Sequence, residues 1–85
     1  MKPFRKNCTE EQWKVIVDEI LDHAKEICEN YNGYHSDHEA LGVMTEEWAE
    51  WIDAIHRNDV KQSVAEAKQL AAGFMVFCAL FKKKL

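Results

Sequence analysis

"VKQSVAEAKQLAAGFMVFCALF", Val60 to Phe81, is the stretch on which the fold of this chain turns. It contains no proline and one internal glycine, Gly73, so nothing in it stops a helix. From Leu70 to Phe81 it is apolar around its whole circumference, and a helix of that kind needs cover on several sides. One neighbouring hairpin cannot supply it. The rest of the chain, and then a second chain, are expected to complete the burial.

Working back from Val60, "ND" at Asn58 and Asp59 marks a turn, and Asp59 can cap the helix that follows, with Gln62 three residues on. Before the turn a second helix is expected from "SDHE" at Ser36, which has the form of a capping box, to about Arg57. A first helix is expected to open at "TEEQ", Thr9 to Gln12, again a capping box, and to end at "NYNGYHS", where Gly33 is free to turn left-handed. Trp13, Ile16, Val17, Ile20, Leu21, Ala24, Ile27, Cys28 and Tyr31 recur at helical spacing and form one apolar stripe. The prediction is an all-α single domain over residues 1–85, with helices at about 9–31, 36–57 and 60–81 in an antiparallel bundle. No internal repeat, linker or low-complexity tract interrupts it.

The 85 residues suffice for one domain that buries only roughly 60–65% of its unfolded surface. At 47% hydrophobic residues, with three Gly and one Pro, the composition is that of a folded helical protein. A net charge of −4 gives no broad attraction to nucleic acid. The basic clusters Lys2, Arg5, Lys6 and Lys82, Lys83, Lys84 read as solvated ends. Cys8, Cys28 and Cys78 are odd in number and widely spaced, which argues against a disulfide framework or zinc site and for a reducing cytoplasm. There is no apolar leader, and the run from Leu70 to Phe81 is too short to span a membrane, so a soluble chain is expected.

The chemistry sits in "MTEEWAEWIDAI", Met44 to Ile55. On a helical wheel Leu41, Met44, Trp48, Trp51, Ile52 and Ile55 share an apolar sector. Glu47 and Glu50 share the adjoining sector with Ala40, Val43 and Ala54, and Glu46 and Asp53 lie further toward water. On the third helix Gln62, Glu66, Gln69, Gly73, Phe77 and Leu80 fall together, so an antiparallel hairpin lets Glu47, Glu50 and Glu66 converge. Crowded, partly dry carboxylates repel one another and resist ionisation unless a proton or a cation joins them. Hard divalent cations such as Mg²⁺ take oxygen ligands of this kind. Spacing alone leaves the plainer alternative open, in which acidic residues on a helix flank face solvent.

"EEWAE", Glu46 to Glu50, resembles the E-E-x-x-E signature of the MazG-like, all-α nucleoside triphosphate pyrophosphohydrolases. Their second motif, E-x-x-D, is met by "EAKQ", Glu66 to Gln69. "HSDHEALGVMTEEWAEWIDAI" followed by "VAEAKQLAAGFMVF" is similar to short members of that superfamily, so the resemblance covers about His35 to Phe77. It implies a Mg²⁺-dependent enzyme, with Mn²⁺ as a substitute, that cleaves a nucleoside triphosphate to monophosphate and pyrophosphate. Carried over, Glu47, Glu50, Glu66 and Gln69 become metal ligands, and Glu46 a supporting acid or water-orienting base among the catalytic Glu46, Glu47 and Glu50. Gln69 stands where the motif has aspartate, and its amide oxygen can ligate a cation without adding charge.

His35 and His38 form an H-x-x-H pair with no third nitrogen or sulfur ligand nearby, so a phosphate- or base-contacting role for His38 is preferred over a transition-metal site. Aromatics at helical spacing are more often core than base platforms, and Trp51, nearest the carboxylate sector, is the better substrate candidate of the two tryptophans. Lys14, Lys25, Lys61 and Lys68 are solvated lysines that spacing does not single out. The apolar third helix predicts a homodimer, or a dimer of dimers, with a four-helix core, and the resemblance implies the same. Two rival readings are a nucleotide-binding relative with weak turnover and a non-enzymatic helical assembly module.

Overall fold

A computed structural model describes residues 8–85, and the basic residues Lys2, Arg5 and Lys6 lie outside it. The chain forms three helices, α1 (Glu10–Tyr31), α2 (Asp37–His56) and α3 (Val60–Phe81), followed by a single 3-10 turn at Lys82–Lys84. Their starts follow local chemistry. The Thr9 hydroxyl accepts from the Gln12 backbone N–H at 3.1 Å, and Gln12 Oε1 accepts from the Thr9 N–H at 2.7 Å, a complete capping box. At α2 only half of the expected box forms. Ser36 Oγ accepts from the Glu39 N–H at 3.0 Å, but the Glu39 carboxylate takes the His35 N–H instead of reaching back to Ser36. Asp59 caps α3 through the Gln62 N–H at 3.0 Å, and Gln62 turns its amide elsewhere.

The turns use left-handed backbone. Asn32 and Gly33 end α1 at φ 57° and 69°, so the reversal takes two such residues rather than Gly33 alone, and Asn58 at φ 58° joins α2 to α3. Gly33 also admits Leu80, whose Cδ1 would lie 2.6 Å from a Cβ there.

α3 is the central element: α1 and α2 each pack against it and, among the described residues, not against one another. α1 runs parallel to α3, joined near its middle by Lys68 Nζ and Glu19 Oε2 at 3.0 Å, and α2 runs antiparallel to both. Ala24, Ala72 and Val76 centre the α1–α3 contact, with Ile20, Ile27, Tyr34 and Leu80 around them. At Gly73 both α2 and the α1–α2 turn come close to α3. A Cβ there would collide with Met44 Sδ and lie 2.9 Å from Tyr34 Oη.

The buried face of α2 differs from the wheel expectation. Ala40, Met44 and Ala54 are buried and Glu47 is half-buried, whereas Leu41, Trp48 and Ile55 are exposed. α2 thus presents to α3 the sector that holds a carboxylate. The reason is steric: Ala40 and Ala54 let the helix axes approach closely, which the larger Leu41, Trp48 and Ile55 do not. The stripe of α1 is likewise covered only in part, since Trp13, Ile16, Val17 and Leu21 remain exposed. The radius of gyration, 14.4 Å, exceeds the roughly 12 Å of a compact domain of this length. By length and composition alone Val60–Lys84 could also cross a membrane. Its polar Glu66 and Gln69 are nevertheless turned toward protein, buried and half-buried.

Candidate metal and nucleotide site

Because α1 and α2 flank α3 without meeting, a cleft opens between them over one face of α3. His23 and Ile27 of α1, Gly33 and Tyr34 of the turn, Glu39, Val43 and Glu47 of α2, and Gln69 of α3 line about 560 Å³ of it. That volume lies within the range of small-ligand sites.

Beside this cleft stands the carboxylate group. Glu66 is only 5% exposed, although it lies mid-helix, because it sits in the contact between α2 and α3. Gln62 Nε2 donates to Glu66 Oε1 at 2.6 Å, one helical turn away. The other oxygen, Glu66 Oε2, is buried with no hydrogen-bond partner, and so is Glu47 Oε2. Glu50, exposed on α2, lies close enough to Glu66 for that carboxyl to perturb it.

These positions set the electrostatics. Burial, then the charges of Glu66 and Glu50, push the Glu47 carboxyl above the ordinary value near 4.5, with His23 pulling weakly the other way. The Glu50 carboxyl is pushed up by its hydrogen bond with Glu66 and by the Glu66 charge, with a smaller contribution from Glu46. Burial and the nearby Glu47 raise the Tyr34 phenol. Tyr34 Oη lies 3.4 Å from both Met44 Sδ and the Gly73 carbonyl, which anchors the turn over α3.

The residues singled out in the sequence are distributed unevenly. Glu47 feels the charges of both Glu66 and Glu50, and Gln69 shares the cleft with Glu47. Glu46 is exposed on the neighbouring flank. His38 projects into solvent with its side chain 92% exposed, and its nearest charged neighbour is Asp37 at 3.9 Å. Trp51 is half-buried and packs on Trp48, ring centroids 5.2 Å apart, rather than lining the cleft. Lys68 is engaged by Glu19. Two cleft residues, His23 of α1 and Tyr34 of the turn, lie outside the set the sequence singles out. The signal was present: His23 is a polar residue three after Ile20 and four before Ile27, on the stripe that packs.

Among the described residues no three His, Cys, Asp or Glu side chains close on a common point as a ready-made metal cage. Mg²⁺ does not require one, since it is bound through one or two carboxylates, waters and substrate phosphates. Two buried carboxylate oxygens without donors are suited to such an ion. Compared with protein-family models, curated proteins and solved structures, the chain matches none.

Proposed function

We propose that this chain is a Mg²⁺-dependent nucleotide pyrophosphohydrolase, of the MazG-like kind its motifs resemble, that cleaves a nucleoside triphosphate to monophosphate and pyrophosphate. The observation that carries the reading is the pair of unpartnered buried oxygens, Glu47 Oε2 and Glu66 Oε2, with Glu47 itself lining an open cleft. A buried carboxylate without a donor is costly, and a divalent cation removes the cost. Glu47, Glu50 and Glu66 would hold that ion, with the neutral Gln69 oxygen at its side. A bound Mg²⁺ would neutralise the phosphate chain and make water a stronger nucleophile at neutral pH. Glu46, exposed next to Glu50, would orient that water and accept its proton. The cleft leading away past Gln69, Tyr34 and His23 would receive the nucleoside. Protomers would pair as a homodimer, or a dimer of dimers, around a four-helix core.

The deciding experiment is a pyrophosphate-release screen across canonical, deoxy and modified nucleotides with Mg²⁺ or Mn²⁺, run on the native chain and on Glu50→Gln. Release by the native chain, lost in Glu50→Gln while the helical circular dichroism persists, is expected. Unchanged turnover in the variant rejects the assignment. Gln69 favours a second reading, nucleotide binding with weak turnover, and titrating nucleotide with Mg²⁺ separates binding from hydrolysis. If neither Mg²⁺ nor any nucleotide at millimolar concentration raises the melting temperature, a helical assembly module is the better reading, which the exposed apolar side chains support.

A further inference from the structure

The side of α3 that faces away from the carboxylates is apolar along the helix. About 120° or more around the helix from Gly73, at roughly 100° per residue, Val60, Val64, Ala67, Ala71 and Cys78 fall in one sector, with Phe74 at its edge. These six follow one another at intervals of four, three, four, three and four residues, a seven-residue repeat without a charged member. All are exposed except the half-buried Ala71. On α2, Leu41, Trp48 and Ile55 recur at sevens and are exposed too, and Leu41 joins Phe74 in lining one apolar hollow of about 270 Å³. This is the spacing of one half of a coiled-coil seam, left uncovered in the protomer. The accessible surface, 6880 Å², is roughly 1,700 Å² more than a compact monomer of this mass exposes. A standard interface removes about 800 Å² from each partner.

The spacing of the seam is the same in both directions. Reversed about the level of Gln69, Val60 exchanges with Cys78, Val64 with Phe74 and Ala67 with Ala71. In an antiparallel two-fold pair each seam position meets the one equally far beyond the midpoint, so this symmetry is what a second copy of the same chain uses. The volumes agree. Bulky Phe74 meets the smaller Val64, and alanines meet at the centre, where the backbones come closest. A parallel pair would stack Phe74 on Phe74 and leave gaps at both alanine layers.

We propose that α3 docks antiparallel on α3 of a second copy through this seam, Ala67 against the partner's Ala71, with the Leu41, Trp48 and Ile55 flank of α2 closing the sides. The two carboxylate clefts then face outward, away from the interface. The proposal rests on the pairing stated above and specifies its face and register.

Sedimentation equilibrium of the full chain at micromolar concentration should give twice the 9.9 kDa chain mass, whereas a 9.9 kDa particle overturns the pairing and the seam together. Register is read in a Cys8→Ser, Cys28→Ser background with a short bis-maleimide. Val60→Cys should be joined to the partner's Cys78 in high yield, and Cys78 should not be joined to itself. A dimer that links through Cys78 alone, and gains nothing from Val60→Cys, keeps the pairing and overturns the antiparallel seam. Ala67→Glu, exposed in the protomer, should weaken dimerisation at least tenfold with its helical signal intact, and Ala49→Glu on the far side of α2 should not. An Ala67→Glu chain as dimeric as the native one overturns the proposal. So does flotation of the native chain as a monomer with neutral phosphatidylcholine vesicles, which would make the seam a lipid-facing surface.

Discussion

Glu66 on α3 sits close enough to Glu50 on α2 to raise its carboxyl, so two carboxylates sixteen residues apart in sequence act on one another across a helix–helix contact. Glu66 is buried and Glu50 is exposed, which gives the pair an inner member that cannot escape to solvent and an outer member that can turn.

The first prediction concerns the inner member. Glu66→Gln keeps the shape and the Gln62 contact, removes a buried charge, and lets an amide donate toward Glu50. Without metal the variant should be about 1 kcal/mol more stable, a rise of roughly 4–8 °C in Tm, because neutralising a crowded buried group relieves its desolvation. Stabilisation by Mg²⁺ should disappear in the same variant. Thermal melts with and without millimolar Mg²⁺ check both, and a metal-free variant less stable than the native chain contradicts the electrostatic account.

Stability should also depend on pH in a sense opposite to that of a salt-bridged carboxylate. Glu47 and Glu50 both have folded-state pKa values above the ordinary carboxylate range, so in the window between the two values the native state binds more protons than the unfolded chain. Their favourable contribution is therefore complete below pH 4.5 and is lost as pH rises through the raised values. Melting temperature in metal-free buffer should fall over that window, and added Mg²⁺ should flatten the fall. A metal-free Tm that rises with pH there is incompatible with the site described.

Gln69→Asp adds the charge that the motif's aspartate would carry. Mg²⁺ affinity is expected to increase about tenfold, some 1.4 kcal/mol, while the metal-free protein loses stability to the added repulsion. Calorimetric titration of Mg²⁺ into both proteins provides the comparison. Equal affinities would place Gln69 outside the ion's reach.

Gly73→Ala sets two effects against each other. Alanine in a helix interior is favoured by about 1 kcal/mol, but its Cβ would collide with Met44 Sδ and crowd Tyr34 Oη, and overpacking costs about 1–3 kcal/mol. Collision should win, with a net loss of about 1–2 kcal/mol in chemical denaturation. Met44→Val in the same chain should recover part of it by removing the colliding sulfur. If Gly73→Ala is stabilising on its own, α2 and α3 are further apart at this level than described.

Local chemistry was open to reading from the chain itself. Thr9, Ser36 and Asp59 cap the helices within one residue of the expected starts, because a cap involves only the next three residues. The i, i+3 relation of Glu47 and Glu50 was likewise visible, since helical geometry alone sets it. His23 and Tyr34 entered the cleft unannounced, because their place depends on how two helices are spaced on a third.

Sequence by itself therefore determined that there are three helices, where they begin, and that one of them is too apolar to stand alone. Only the tertiary structure decided which face of α2 turns inward. Hydrophobicity favoured Leu41, Trp48 and Ile55, yet Ala40, Ala54 and the flank carrying Glu47 were chosen. Burial belongs to two surfaces at once: small side chains admit a neighbouring helix at close range, and the distance gained in packing outweighs the apolar area left on the other flank.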